Sequence, residues 1–324
     1  MTTMTLAKAL SAGLRRVLEE NPKSLLIGED IGRLGGVYRV TEGLMADFGT
    51  ERVVDSPLAE SGIIGTSIGM SLRGYAPIAE IQFDGFVFPG FNQITTQLAK
   101  MRARSEGRFG APVVVRIPYG GGIGSIEHHS ESPEALFAHT PGLRIITPSN
   151  PNDAYWMIQQ AAACQDPVIF FEPKRRYWLK GEVDTETSAP DAFSAQVIRE
   201  GSDATIVTYG PLVPVALAAA EAATEDGRSI EVIDLRSISP IDFDTVIASV
   251  QKTGRLIVTH EAPTFGGIGG EIAARVSERA FLSLEAPVIR VGGFHMPYPV
   301  AKVEEQYLPD IDKLLDALDR SFEY

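Results

Sequence analysis

Val113-Val114-Val115-Arg116-Ile117-Pro118-Tyr119-Gly120-Gly121-Gly122-Ile123-Gly124-Ser125-Ile126-Glu127-His128-His129 runs from an apolar stretch into a glycine-rich one and then into two adjacent histidines. The apolar part has the composition of a buried strand, and the glycines make a flexible loop at its C-terminal end. In open α/β sheets, reacting groups collect at that end of the strands. Ser130-Glu131-Ser132-Pro133-Glu134 then reads as a helix start, with proline at the first position and acids in the first turn.

The same alternation extends in both directions. Leu6, Leu10, Leu14, Val17 and Leu18 recur at helical spacing and predict an opening helix, and Leu25-Leu26-Ile27 predicts a strand. A helix from Thr41, a strand at Val53-Val54, a helix over 60–72, a strand over 78–83 and a helix over 88–101 lead up to the strand over 113–117. Beyond it come a strand at Ile145-Ile146, a helix over 152–163 and a strand over 168–171. Strands alternating with helices imply a parallel sheet covered on both faces. From 173 to about 190 the pattern lapses into linker chemistry. A second series follows: Thr205-Ile206-Val207, a helix over 216–223, a strand over 230–235, a helix from Phe243 and the strand Leu256-Ile257-Val258. Two α/β domains are expected, over residues 1–185 and 186–324.

Composition narrows the function. A chain of 324 residues with 44% hydrophobic and 22% charged residues is that of an ordinary globular protein. Its formal charge of −13 argues against a nucleic-acid partner, which favours a basic face. The lone Cys164 excludes an internal disulfide framework and any CxxC motif. With no basic-then-apolar leader and no window of ~18 uninterrupted apolar residues, no membrane association and a cytoplasmic location are expected.

Three features could carry chemistry. Glu60, in Asp55-Ser56-Pro57-Leu58-Ala59-Glu60-Ser61-Gly62, stands where a strand gives way to an apolar, glycine-spaced helix. Burial there would favour its protonated form; as a first-turn acid it would also suit the helix dipole. His128 and His129 could act as acid and base or bind a metal, although His139, His260 and His295 lie at no zinc spacing. Neither Gly120-Gly121-Gly122-Ile123-Gly124 nor Gly266-Gly267-Ile268-Gly269-Gly270 completes a dinucleotide fingerprint, and no GxxxxGK[ST] occurs, which disfavours a nucleotide role. The second run suits close packing at a helix head. Gln82-Phe83-Asp84-Gly85-Phe86-Val87-Phe88-Pro89 reads as core at a strand-to-helix turn whose rings could stack on a flat ligand.

Taken together, these stretches resemble the β subunit of the thiamine-diphosphate-dependent decarboxylating component of 2-oxo acid dehydrogenase complexes. The resemblance also runs through Gly28-Glu29-Asp30-Ile31-Gly32, Ala79-Glu80-Ile81-Gln82-Phe83, Phe171-Glu172-Pro173-Lys174, Val232-Ile233-Asp234-Leu235-Arg236 and His260-Glu261-Ala262-Pro263. It implies a parallel-sheet, transketolase-like pyrimidine-binding domain followed by a smaller α/β C-terminal domain. In the family, the residue matching Glu60 bonds a ring nitrogen of the cofactor and takes part in general acid–base catalysis. His129 matches the active-site histidine; Leu58, Gln82 and Phe86 match cofactor-facing positions. Carbonyls matching Val113, Ala161, Ala162, Cys164 and Asp166 hold a structural potassium ion.

The resemblance further implies what this chain lacks. It contains no GDG, the motif that holds magnesium and diphosphate, so that half of the site is expected on a separate α subunit in a heterotetramer of two α and two β chains. The acyl group formed from the 2-oxo acid would pass to a lipoyl-bearing acyltransferase core. His128 stands where relatives often carry Tyr and Glu131 where many carry Gln; a carboxylate at 131 would raise the His129 pKa. The loop around His129 is similar to branched-chain enzymes more than to pyruvate or acetoin enzymes. A silent assembly scaffold and a metal-dependent hydrolase are the rival readings.

Overall fold

The structure is a computed structural model that describes residues 1–187 and 189–324; Ser188, within the expected linker, lies outside the described residues. Two sheets organise it. The larger has seven strands in the order Ser237–Ser239, Arg144–Ile146, Val168–Pro173, Val114–Tyr119, Ala76–Glu80, Ser24–Gly28 and Val53–Asp55. All but the first of these strands run parallel. The central strands are buried along their whole length because helices cover both faces, which is why they read as near-continuous apolar runs.

On one face the helix Leu6–Glu20 packs on Pro151–Ala163. Thr5 caps the first by accepting from the Lys8 N–H, and Asn150 caps the second by accepting from the Asp153 N–H. Gly13 sets their approach, since a Cβ there would lie 2.5 Å from Ile158 Cγ2 and 2.6 Å from the Tyr155 carbonyl oxygen. On the other face the helix Glu60–Leu72 buries Ile63, Ile64 and Ile68 against the sheet.

The second sheet has five strands in the order Ile289–Gly293, Leu256–Pro263, Ala204–Thr208, Ile230–Asp234 and Gln196–Arg199, the last antiparallel. The two sheets share an apolar core, which passes from Val115, Phe171 and Phe137 into Val207, Ile233, Leu235 and Leu256. Arg236 reinforces the seam with a bidentate pair to Asp153 at 3.0 and 3.2 Å.

Three expectations about local structure change. The segment 88–101 is not one α-helix: a 3-10 turn over Asp84–Gly90 is followed by a wide π turn over Gln93–Gln97, short 3-10 and α turns ending at Arg104. Pro89 has no N–H to donate, and Gly90 follows it, so a regular ladder has no continuous start. The stretch 173–190 is more than a linker, because Lys180–Val183 pairs antiparallel with an N-terminal strand Thr2–Thr5. Lys174 and Tyr177 in it are fully buried. Finally, Gln196–Arg199 and Ser237–Ser239 add antiparallel edges that strand–helix alternation does not reveal. No described helix is long and apolar enough to cross a membrane.

Candidate active site

Parallel pairing brings the C-terminal ends of neighbouring strands to one edge, and the residues singled out in the sequence stand on the segments that leave it. Val53–Asp55 leads through exposed Leu58 to Glu60; Ala76–Glu80 leads to Gln82 and Phe86; Val114–Tyr119 leads through the glycines to His128 and His129.

Glu60 is the first residue of its helix, and no side chain caps that end. It keeps the dipole partnership expected of a first-turn acid. It is also only 9% exposed, and among the described residues no group of the chain hydrogen-bonds its carboxylate. Its main chain lies against Gly90, where a Cβ would sit 3.2 Å from the Glu60 carbonyl oxygen; Glu60 thus abuts the turn that carries Phe86. Burial, then the charges of Asp30 and Glu60, hold the neighbouring Glu29 above the usual carboxylate range. The Gln82 side-chain amide reaches the Glu29 carbonyl at 3.4 Å. Leu58 is 70% exposed at the same edge.

His128 and His129 form a single 3-10 turn and sit in an aromatic cluster. The His129 ring lies 4.1 Å from Phe83, 5.1 Å from Phe86 and 4.4 Å from His128, measured between centroids. Its Nδ1 is buried without a hydrogen-bond partner. Burial first, then the charges of His128 and Lys174, hold its imidazole below the usual histidine range, with Glu127 opposing. This corrects the expectation that Glu131 would raise it. Glu131 instead uses its main chain: its N–H donates to Asp84 Oδ2 at 2.9 Å.

That bond belongs to a clamp which sequence reading missed. Lys174 Nζ donates to Asp84 Oδ1 and, at 2.5 Å, to the His129 carbonyl oxygen, with both side chains fully buried. Burial pushes Asp84 up to about 6 and Lys174 down, and their mutual attraction opposes both shifts. Asp84 and Lys174 therefore hold the main chain on both sides of Ser130. The available signal was partial: Asp84 is a lone charge in the apolar Phe83-Asp84-Gly85-Phe86, whereas Lys174 follows Glu172-Pro173 and opens the charged run Lys174-Arg175-Arg176, which gives no sign that it is buried. Behind the clamp, Arg116 bridges Glu80 at 2.6 Å and Glu172 at 2.6 and 3.0 Å, tying three adjacent strands together.

The residues matched to a potassium site lie on two neighbouring segments. The Ala111 N–H donates to the Gln165 carbonyl at 3.0 Å and the Val168 N–H to that of Val113 at 3.0 Å, so the entry to one strand runs beside the end of Pro151–Ala163. Ala161, Ala162 and Cys164 lie at that helix end, whose carbonyls carry partial negative charge. The Ala161 carbonyl already accepts from the Cys164 N–H, and the Asp166 carboxylate is taken by Arg102 and Arg144. Among the described residues no three His, Cys, Asp or Glu side chains gather as a metal-binding group, which leaves the hydrolase reading without a ligand set.

The second glycine run does pack a helix head. Gly267 and Gly269 press on the His260 ring, whose Nε2 accepts from the Gly269 N–H at 3.1 Å while Nδ1 bonds the Ala262 carbonyl at 2.9 Å. Burial brings His260 down to about 4, so it stays neutral and structural.

Comparison with known proteins identifies the fold and the family. Residues 2–178 match the transketolase pyrimidine-binding domain and residues 194–314 the transketolase C-terminal domain. The chain is 61% identical over 322 residues to the "Pyruvate dehydrogenase E1 component subunit beta" of Leifsonia xyli, covering 99% of this chain and 96% of that one. It is 50% identical over 319 residues to the "3-methyl-2-oxobutanoate dehydrogenase subunit beta" of Mycobacterium tuberculosis, covering 98% and 92%. A solved split-gene transketolase, described as an inactive β4 tetramer, has the same fold: TM-score 0.82 at 22% identity, over 99% of this chain and 98% of that one.

Proposed function

The chain belongs to the β-subunit family of 2-oxo acid dehydrogenase first components, built from the transketolase pyrimidine-binding and C-terminal domains, and from that premise we propose that it supplies half of a shared, thiamine-diphosphate-dependent decarboxylase site. One observation carries the reading: the mostly buried Glu60, whose carboxylate has no hydrogen bond among the described residues, and the buried, unpartnered Nδ1 of His129, whose ring lies beside Phe86, stand on segments leaving one sheet edge. A flat heterocycle with hydrogen-bonding edges fits such a set.

In this reading Glu60 bonds the cofactor's aminopyrimidine ring, with Phe86, Gln82 and Leu58 around it. Bound there, the cofactor supplies the electron sink that decarboxylation of a 2-oxo acid requires. Glu60 exchanges a proton with the ring. His129, neutral at pH 7, gives or accepts a hydrogen bond near the substrate carbonyl, and the Phe83 and Phe86 rings limit access of water. The diphosphate and magnesium sit on an α subunit that carries the GDG motif absent here, in a heterotetramer of two α and two β chains. The acyl product passes to a lipoyl group on an acyltransferase core. The carbonyls of Val113, Ala161, Ala162, Cys164 and Asp166 would hold a structural potassium ion, and the domains divide at 185/186.

Two substrate readings stand on separate observations. The branched-chain reading draws on the apolar aromatic setting of the histidine loop and on the M. tuberculosis relative; the pyruvate reading draws on the more similar L. xyli relative. A single methylene in an apolar pocket is worth only about 1–3 kcal/mol, so selectivity of roughly 10- to 200-fold is the size to look for. Co-expression with an α chain bearing GDG should yield a stable complex that turns over 3-methyl-2-oxobutanoate faster than pyruvate. A clear pyruvate preference overturns the branched-chain reading, and turnover by the purified β chain alone overturns the shared site.

A further inference from the structure

The glycine run that begins the histidine loop is held by a carboxylate from the other end of the chain. The Gly122 N–H donates to Glu304 Oε1 at 2.8 Å and the Gly124 N–H to Glu304 Oε2 at 2.9 Å. Gly121 donates to Glu261 Oε2 at 3.0 Å, and Glu261 Oε1 lies 2.9 Å from an Arg175 nitrogen. Gly120, Gly122 and Gly124 all have positive φ, alternating with residues that do not. Alternation of this kind turns successive N–H groups inward into an anion-binding nest. Such nests commonly hold phosphate; here the anion belongs to the protein, which accounts for a glycine run with no nucleotide fingerprint.

The fit is tight and buried. Glu304 is 5% exposed and also accepts from the Tyr298 hydroxyl at 2.7 Å. A Cβ on Gly121 would lie 1.8 Å from that hydroxyl oxygen. By contrast, the span from Gly122 to Glu127 is largely exposed and has little packing of its own. Downstream, Asp84 and Lys174 fix the chain at His129 and Glu131. Upstream, the seam carboxylates are what fixes it.

We propose that Glu304 is a positioning residue for His129: its carboxylate, delivered by the C-terminal half of the chain, locks the glycine nest and so sets the His128–His129 turn at the catalytic edge. The proposal rests on the reading of His129 as an active-site group. Glu304 touches no reacting atom and acts only through the loop.

Glu304→Gln places an amide NH₂ against one of the two glycine N–H donors, while Glu304→Asp keeps the charge on a shorter arm. In the full chain, amide hydrogen exchange of residues 122–129 should rise at least tenfold in Glu304→Gln and less in Glu304→Asp, with Phe243–Thr253 unchanged. The His129 pKa, followed by NMR, should move up toward the ordinary value as the loop opens to water; the charged groups facing the ring are His128, Lys174 and Glu127. In the assembled enzyme, kcat should fall about 10- to 100-fold more than KM changes. If Glu304→Gln does not fold, Tyr298→Phe should show a smaller rise in the same amides. Unchanged exchange and an unmoved His129 pKa overturn the proposal, as does a rise in exchange spread evenly over the C-terminal half. The exchange and NMR measurements need no turnover, so an inactive complex would count against the decarboxylase reading and leave this test intact.

Discussion

The sheet edge that carries Glu60 and the seam between the two sheets are both rich in carboxylates and glycines, yet they are finished differently. At the seam, the Glu261, Glu304 and Asp153 carboxylates all have donors, and Gly120 and Gly121 abut Glu261 and Tyr298 from the opposite half. At the edge, His129 Nδ1 is buried without a partner among the described residues, the mostly buried Glu60 has no hydrogen bond to its carboxylate from them, and Gly65 and Gly69 of Glu60–Leu72 face open space with nothing within 4 Å of an added Cβ. Buried polar groups are normally satisfied, so an unpartnered imidazole nitrogen on the same edge as an unbonded, mostly buried carboxylate fits a group that binds there from outside the chain.

The sharpest test of this contrast is Glu60→Gln. The side chain keeps its shape and loses only the exchangeable proton, so turnover in the assembled enzyme should fall about 10²- to 10⁴-fold while the melting temperature stays put. A purely scaffolding chain would lose no activity, which kinetic assays beside differential scanning calorimetry would reveal.

Two glycine substitutions should then move stability in opposite directions. Gly121→Ala forces a methyl group onto Tyr298 and should destabilise the chain by about 1–3 kcal/mol in urea titrations. Gly65→Ala, in a helix interior with free space beside it, should stabilise the isolated chain by about 0.5–1 kcal/mol. If the edge faces another subunit, the same methyl group should weaken assembly, measurable by analytical ultracentrifugation. A stabilised chain that also assembles normally would remove the edge as an interface.

The smallest effect concerns protons. Because burial and the neighbouring charges lower the His129 pKa, its imidazole is neutral at pH 7, and activity should be lost as pH falls through a value below the ordinary 6.5. Removing the neighbouring positive charge with His128→Asn should shift that acid limb upward, toward the ordinary value. An acid limb that shifts downward or stays fixed would mean that His128 does not sense His129.

Much of this was legible along the chain. The apolar run into Gly120, the Leu58-Ala59-Glu60 turn and the alternation of strands with helices follow from local periodicity, and parallel pairing follows from the alternation. The failures have a common cause. Pro89 broke an expected helix through a missing donor. Lys180–Val183 looked like linker because a short edge strand is defined by its partner, Thr2–Thr5, almost the whole of one half away. The pKa of His129 was misjudged because position 131 is near in sequence but contributes its N–H, while burial among Phe83, Phe86 and His128 sets the balance.

Local chemistry alone therefore determined which residues could react and on which strand ends they would stand, since side-chain period and turn composition are short-range properties. Which of them were left unpaired was decided only in three dimensions. Glu60 and Glu304 are both buried glutamates, and nothing in the neighbouring residues says that Glu304 meets two glycine donors from the other half of the chain while Glu60 meets none among the described residues. Hydrogen-bond satisfaction depends on groups brought together from far apart in the chain, and that information exists only once the chain is folded.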